Sequence, residues 1–308
     1  MKKVLVVGEI NVDLILSGCH GLPTPGKEIL SERFQATLGS ASAICAVGLA
    51  RLGTPVAFLG KIGTDDWGGF CLRALRSNGV DVSRVVEDPT LETGVTVAIS
   101  TPADRALVTF LGSVRALSAA DVPFDTLDGF DHLHVSSYFL QQGLRAHVRP
   151  LFAEAHRRGL TTSLDPGFDP DDRWDRDLVD TLAEVDVFLP NEVELTAITG
   201  CTNPAQAVRA LGLPATRVVA KLGAKGAITI ENGEVIGVSA LPITPIDTTG
   251  AGDSFNAGFL HGWLAGRSTR DALRLGASCG ALSTLAVGGT AHQPTLARAD
   301  AFLAEHSA

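Results

Sequence analysis

The sequence predicts an α/β fold: a mainly parallel sheet flanked by helices on both faces, with a small antiparallel β lid attached. Three observations predict it. Short continuous apolar runs such as Val4-Leu-Val-Val7 mark strands buried on both faces. Stretches of helical length and amphipathic pattern alternate with them. Two segments, about 12–37 and 92–115, break the alternation with short period-two patterns split by Pro and Gly.

Taken in order, Val4–Val7 ends at Gly8 and opens the sheet. Residues 12–37 supply the first half of the lid. A helix is expected over Ala41–Leu52, a strand over Val56–Leu59 and a helix over Trp67–Ser77. Residues 92–115 hold the alternating runs Thr93–Ile99 and Ala106–Phe110, the second half of the lid. Strands then follow at His132–Val135, Thr161–Leu164, Val187–Leu189, Arg217–Ala220 and Ala227–Ile230, with helices at Arg145–Arg157 and Ala205–Leu211. Ser254–Ala265, Thr269–Val287 and Thr295–His306 close the chain as helices. The expected organisation is a single α/β domain over residues 1–308 with the two insertions as its lid. Two ordinary surface excursions would account for the same insertions. In such sheets ligands bind at the C-terminal ends of the strands.

Composition narrows the function. With 45 % hydrophobic and 19 % charged residues in 308, a sizeable core can form. A formal net charge of −9 leaves no basic footprint for nucleic acid or anionic lipid, so neither is expected as a partner. An anionic substrate must therefore be drawn in by local groups. The five cysteines are scattered and form no Cys-x-x-Cys pair, as in a reducing compartment. The apolar run after Met-Lys-Lys is too short for a signal h-region, and no stretch is long enough to span a bilayer. A cytoplasmic protein is the expectation.

The most informative segment is Asp247-Thr-Thr-Gly250-Ala251-Gly252-Asp253, ahead of an apolar run suited to a buried helix. A helix start built this way exposes bare backbone N–H groups. With the aligned peptide dipoles, equivalent to roughly half a positive charge, they favour an anion. Glycine lets the backbone approach a phosphate closely. A carboxylate at that spot would repel a phosphate unless it has another task, such as taking a proton from an attacking hydroxyl. Alone, the same residues describe a glycine turn with a capping Asp.

Further segments fall at expected strand ends and helix starts. They are Gly8-Glu9-Ile10-Asn11-Val12-Asp13, Leu38-Gly39-Ser40-Ala41-Ser42-Ala43, Gly60 to Gly68, and Leu189-Pro-Asn191-Glu-Val-Glu194. No Gly-x-x-x-x-Gly-Lys-Ser/Thr loop occurs, and no Gly-x-Gly-x-x-Gly follows the first strand. A P-loop NTPase and a nicotinamide enzyme thus lack their main support.

Together these segments resemble the ribokinase-like (PfkB) family of carbohydrate and nucleoside kinases, in order, from Val4 to about Pro294. The family's second signature matches Asp247 to Phe255. The resemblance implies a ribokinase-like fold and transfer of the γ-phosphoryl group of ATP, with Mg2+, to a hydroxyl of a sugar or sugar derivative. It makes Asp253 the catalytic base and the N–H groups of Gly250, Ala251 and Gly252 the anion hole. Asn191 and Glu194 match the motif that positions Mg2+ through its waters. An Asn N-cap with Glu in a capping box fits the same pair, and both can hold at once. Lys221, Leu222 and Gly223 match the region beside the adenine and ribose. Asp13, with Asn11 beside it, matches the residue that holds two sugar hydroxyls. Asp247 and Thr249 match two ligand positions of a monovalent-cation site (K+), with carbonyls from 286–291. A plain hydrogen-bonded turn accounts for these two equally well.

The chain departs from the family at its first signature, where Gly39 and Ser40 stand for a Gly-Gly pair and Ile44 for an acceptor-binding Asn; the resemblance still implies Gly39 and Ser40 at the substrate, with Ser40 able to present a hydroxyl. Ile44 cannot hydrogen-bond, and each buried, unsatisfied sugar hydroxyl would cost about 1–3 kcal/mol. A nucleoside acceptor, whose pocket adds an apolar slot for the base, is therefore the alternative. Lys27, Arg33, Arg105 and Arg115 leave a phosphorylated sugar open. A kinase-like protein that binds without turnover is the reading from a different class; the intact Asp253 and glycine turn weigh against it. His132 and His134 share one strand face, but two histidines without a third ligand read as structural. Asp165 and Arg173 fall at the expected active edge as weaker candidates, and Cys279 reads as helix packing. Exposed edges of the lid suggest a homodimer.

Overall fold

A computed structural model describes residues 1–101, 105–213 and 215–306. Residues 102–104, inside the second expected insertion, lie outside the described residues, as do 214 and the last two residues of the expected 1–308 domain.

In chain order the first elements are β1 (Val4–Val7), β2 (Asn11–Ser17), β3 (Arg33–Leu38), α1 (Ala41–Arg51), β4 (Val56–Leu59), β5 (Lys61–Gly63) and α2 (Asp66–Ser77). Next come β6 (Val86–Asp88), β7 (Gly94–Ser100), β8 (Arg105–Phe110), β9 (His132–Val135), α3 (Arg145–Arg157), β10 (Thr161–Leu164) and α4 (Arg176–Thr181). Then follow β11 (Val187–Phe188), α5 (Glu192–Thr199), α6 (Pro204–Ala210), β12 (Arg217–Lys221), β13 (Ala227–Glu231) and β14 (Glu234–Val238). The chain ends in α7 (Ala251–Leu264), α8 (Thr269–Ser283) and α9 (Leu296–Glu305).

Eight strands form the main sheet in the order β14-β13-β12-β11-β10-β9-β1-β4. From β4 to β12 all pairs are parallel, and β13 and β14 return antiparallel. Alternate residues of β1 feed two separate cores. Val4 and Val6 pack with Leu49 of α1, Leu75 of α2, Phe259 of α7, Leu275 of α8 and Ala299 of α9. Leu5 and Val7 pack with Phe152 of α3, Leu178 of α4, Leu195 of α5 and Val208 of α6. Burial on both faces explains why the strand sequences are continuously apolar.

β2 starts just past the end of β1, so the smaller sheet, ordered β3-β2-β7-β8, grows from the C-terminal edge of the main one. Its outer pairs are antiparallel, as the alternating runs suggest, whereas β2 and β7 run parallel. These two strands belong to separate excursions, and no hairpin turn dictates their relative direction.

Two element ends differ from expectation by three residues or more. α7 begins at Ala251, ahead of Ser254, because Gly250 adopts the left-handed conformation (φ 71°) and starts the helix at once. α8 stops at Ser283 rather than Val287, since the Thr284 carbonyl accepts the N–H groups of Ile246 and Asp247 at 2.8 and 3.2 Å. β14 was unexpected; the Asn232-Gly233 turn, with φ of 53° and 85°, folds it back onto β13.

His132 and His134 are fully buried and engaged through every ring nitrogen. Thr161 and Ser163 hydroxyls meet His132, and Ser163 and Ser136 hydroxyls meet His134, at 2.7–2.8 Å. Burial holds the His134 imidazole down to about 4, so the pair is neutral and structural. No helix among the described residues is long and apolar enough to cross a membrane.

Candidate active site

The candidate residues gather where β1, β10, β11 and β12 end, beside the start of α7. At that start Asp247 organises the approach. Its Oδ1 accepts from the Thr249 N–H (2.9 Å) and hydroxyl (2.7 Å), and its Oδ2 accepts from the Gly288 N–H at 2.8 Å. The expected cation ligands thus also form the hydrogen-bonded turn. Among the described residues, the N–H groups of Gly250, Gly252 and Asp253 have no protein partner. The Ala251 N–H differs, donating to the Thr248 carbonyl at a long 3.2 Å. Gly250 has no space for a side chain, since a Cβ would stand 2.7 Å from Gly289 Cα and 3.0 Å from Ile44 Cγ2.

Asp253 lies in the first turn of α7, and its carboxyl is pushed up to about 7. Burial is the main cause and repulsion from Asp165 the next, with Lys221 opposing. Asp165, only a weaker candidate from sequence, proves central. Its Oδ2 accepts from Lys221 Nζ at 2.6 Å and Asn256 Nδ2 at 2.5 Å, and its Oδ1 from the Gly167 N–H at 3.0 Å. Burial alone would raise this carboxyl, but the Lys221 charge and these hydrogen bonds hold it below the usual range. Asn256, one turn beyond Asp253 on α7, was not singled out in the sequence; its i+3 spacing from Asp253 is the signal that could have found it. Its Oδ1 is buried without a partner among the described residues.

Asn191 and Glu194 form a full capping box at α5. The Asn191 Oδ1 accepts from the Glu194 N–H (2.9 Å) and the Glu194 Oε2 from the Asn191 N–H (2.8 Å). Among the described residues this leaves Glu194 Oε1 and Asn191 Nδ2 without protein partners. Burial, then Asp165, pushes the Glu194 carboxyl up to about 7. Lys221 donates its N–H to the Pro190 carbonyl at 2.9 Å, tying β12 to the Asn191 segment. Its side chain turns inward to Asp165, while Leu222 and Gly223 (φ 56°) head the turn into β13. No cluster of three or more His, Cys, Asp or Glu among the described residues is arranged to hold a metal directly.

A cavity of about 210 Å³ opens between the smaller sheet and the edge of the main one, lined by Asn11, Asp13, Thr96, Arg105 and Thr109 of the smaller sheet on one side and by Ser40 and Thr249 on the other. Asn11 Nδ2 donates to Asp13 Oδ1 at 2.9 Å, and burial pushes the Asp13 carboxyl up to about 6. Gly39 is required here, because a Cβ would lie 2.1 Å from Asp13 Oδ1. Ser40 occupies a glycine-like conformation (φ 76°). Its hydroxyl is engaged, donating to the Glu9 carbonyl (2.5 Å) and capping α1 through the Ala43 N–H (3.1 Å). Glu9, missed in the sequence, is buried and accepts from the Ser42 N–H and hydroxyl. Arg105 reaches from the smaller sheet to Thr249 Oγ1 (2.6 Å) and Asp247 Oδ1 (3.8 Å).

Two sequence candidates stay out of the site. Ile44 is buried against Gly250 and Gly289 and does not line the cavity. Arg173 is exposed and paired with Asp171.

Residues 1–296 match the family described as pfkB family carbohydrate kinase. The chain belongs to the pfkB family. Among the relatives of this pfkB chain is a fructokinase of Klebsiella pneumoniae, 31 % identical over 95 % of the chain and 96 % of its own length. Among solved structures, the Arabidopsis thaliana ribokinase complexed with ribose and ATP matches with a TM-score of 0.85 at 26 % identity, covering 98 % of each chain. A fructokinase double mutant of Vibrio cholerae O395, bound to fructose, ADP and potassium ion, matches with a TM-score of 0.81 at 28 % identity, again covering 98 % of each. The fold of the pfkB chain is accordingly the ribokinase fold.

Proposed function

We propose that the chain transfers the γ-phosphoryl group of ATP to a hydroxyl of a sugar or sugar derivative, with Asp253 as general base. The observation that carries this reading is the start of α7, where the N–H groups of Gly250, Gly252 and Asp253, without protein partners among the described residues, share one helix turn with the Asp253 carboxyl, which its low-dielectric setting pushes up to about 7. A base works best when its pKa lies near the working pH. The free N–H groups of Gly250 and Gly252, with that of Asp253 itself, suit an anion whose charge spreads over several oxygens during transfer. The Ala251 N–H joins them by exchanging its long bond to Thr248.

The donors available suit Mg2+ held through water. Among the described residues Glu194 Oε1 and Asn191 Nδ2 lack protein partners, and Mg2+ keeps several waters in preference to an all-protein cage. The chemistry it supplies when bound is neutralisation of charge on the phosphates. Leu222 offers the nucleotide an apolar side chain and Gly223 a turn position without one, and Lys221 offers a cation below the phosphates. Asp13 and Asn11 provide the acceptor with two hydrogen-bonding groups, and one carboxylate can accept from two hydroxyls. A sugar is favoured over a nucleoside because Ile44 packs under the Gly250 turn, leaving no apolar slot of its making. The smaller sheet, whose Arg105 already touches the Asp247–Thr249 turn, serves as a lid that excludes water.

Asp247 and Thr249 form an oxygen-only set suited to a hard cation, and the related fructokinase holds potassium ion. The outer face of the smaller sheet exposes Phe34, Val108 and Phe110, each at least half exposed, which favours a homodimer through the lid.

Three outcomes are expected. Asp253→Asn should lower kcat by at least about 10²-fold with ATP binding kept, and the acid limb of kcat near pH 7 should disappear; a variant as active as the parent sinks the base assignment. Adding K+ to enzyme freed of K+ and Na+ should raise kcat, and unchanged activity removes the cation. Sedimentation should give a dimer that Phe110→Asp disperses; a monomeric parent excludes it.

A further inference from the structure

Beneath the turn of α7 lies an ammonium with a fixed position. Lys221 Nζ is 2.6 Å from Asp165 Oδ2, with side chains only 11 % and 5 % exposed. A Cβ on Gly252 would stand 3.6 Å from the same Nζ, so the charge sits directly under the backbone of the turn. Asp165 also accepts from Asn256 on α7, and the Lys221 main chain is tied to Pro190. One ion pair therefore joins the ends of β10 and β12 to the helix that carries Asp253.

We propose that Lys221 is a positioning residue for the transfer: clamped by Asp165 under Gly252, it sets its ammonium against the turn of α7 and the Asp253 which that turn carries. This rests on the reading of Asp253 as the base. Lys221 does not touch the acceptor in this role; it acts through Asp253 and the backbone above it.

The electrostatic setting supports the placement. Facing Asp253 are Asp165 after β10, Lys221 at the end of β12, Glu9 after β1, Glu194 on α5 and the Cys45 thiol on α1. Burial raises the Asp253 carboxyl most; Asp165, Glu9 and Glu194 raise it further, and Lys221 is the group that lowers it. The ammonium itself stays charged in spite of burial, because Asp165 and Glu194 stabilise it. Without Lys221 the Asp253 carboxyl would be pushed up further, leaving less of it free to accept a proton from the acceptor hydroxyl.

The test is the acid limb of kcat in a set of variants. Lys221→Met should move it to higher pH by about one unit or more, as expected for loss of a nearby opposite charge. Lys221→Arg, which keeps the charge, should restore it. Asp165→Asn should move the limb to lower pH, because a repelling carboxylate is gone. Should K221M fail to fold with Asp165 left unpaired, K221M/D165N removes both charges together, which proteins tolerate better. Compared with D165N alone, the double variant should then show a limb about one unit higher. No difference between those two, or an unshifted limb in a folded K221M with lowered kcat, overturns the proposal and leaves Lys221 a structural residue. Asp253→Asn in the same series keeps the two questions apart: its full activity would remove the base, whatever Lys221 does.

Discussion

Where β10 and β12 end, the Asp165 carboxylate and the Lys221 ammonium meet at 2.6 Å, both withdrawn from water. The rest of the site leans on that contact. Burying two charges is costly, and removing one partner of such a pair typically destabilises by about 3–5 kcal/mol. Neither can move without exposing the other. Asn256 donates to the same carboxylate oxygen, so α7 is held at a fixed height above the sheet edge. The height of α7 in turn sets where its unpartnered N–H groups and Asp253 stand. A parallel sheet suits this arrangement because its strand ends all point to one edge.

The same contact leaves an imbalance. Asp165 takes most of the Lys221 charge, while Glu194 and Asp253, also buried nearby, are both pushed up to about 7. A fold selected only for stability would replace such a group with apolar side chains. Retaining it makes sense at a site whose proposed task is to accept one proton and seat a polyanion. Around it, the glycines serve space more than flexibility. Gly39 leaves room for Asp13, and Gly250 leaves room for Gly289 and Ile44.

Much of this was legible in the sequence, and the parts that were not have physical reasons. Continuous apolar runs gave the parallel strands because both faces are buried, and the Asp247 to Asp253 segment showed its helix start and acid directly. The capping box of Asn191 and Glu194 is local and was readable for the same reason. The Asp165–Lys221 pair was not, because its members are 56 positions apart and meet only through the strand order of the sheet. Ile44 looked like a lost acceptor contact, whereas its side chain turns under Gly250 and Gly289. Ser40 looked available to an acceptor, but its hydroxyl is taken by the Glu9 carbonyl and the α1 cap. The Ala251 N–H was grouped with its neighbours, although the β-turn at Thr248 engages it. Each of these depends on a contact across the fold or on a backbone angle, and neither is written in residue type alone.

The claim that most needs a direct measurement is that the transferring group rests on the start of α7 facing Asp253. A crystal structure with ADP, Mg2+ and aluminium fluoride would locate it. The planar fluoride should lie within hydrogen-bond distance of the N–H groups of Gly250, Gly252 and Asp253, with the Asp253 carboxyl facing its open side. A fluoride held elsewhere, with those N–H groups turned to water, would contradict it.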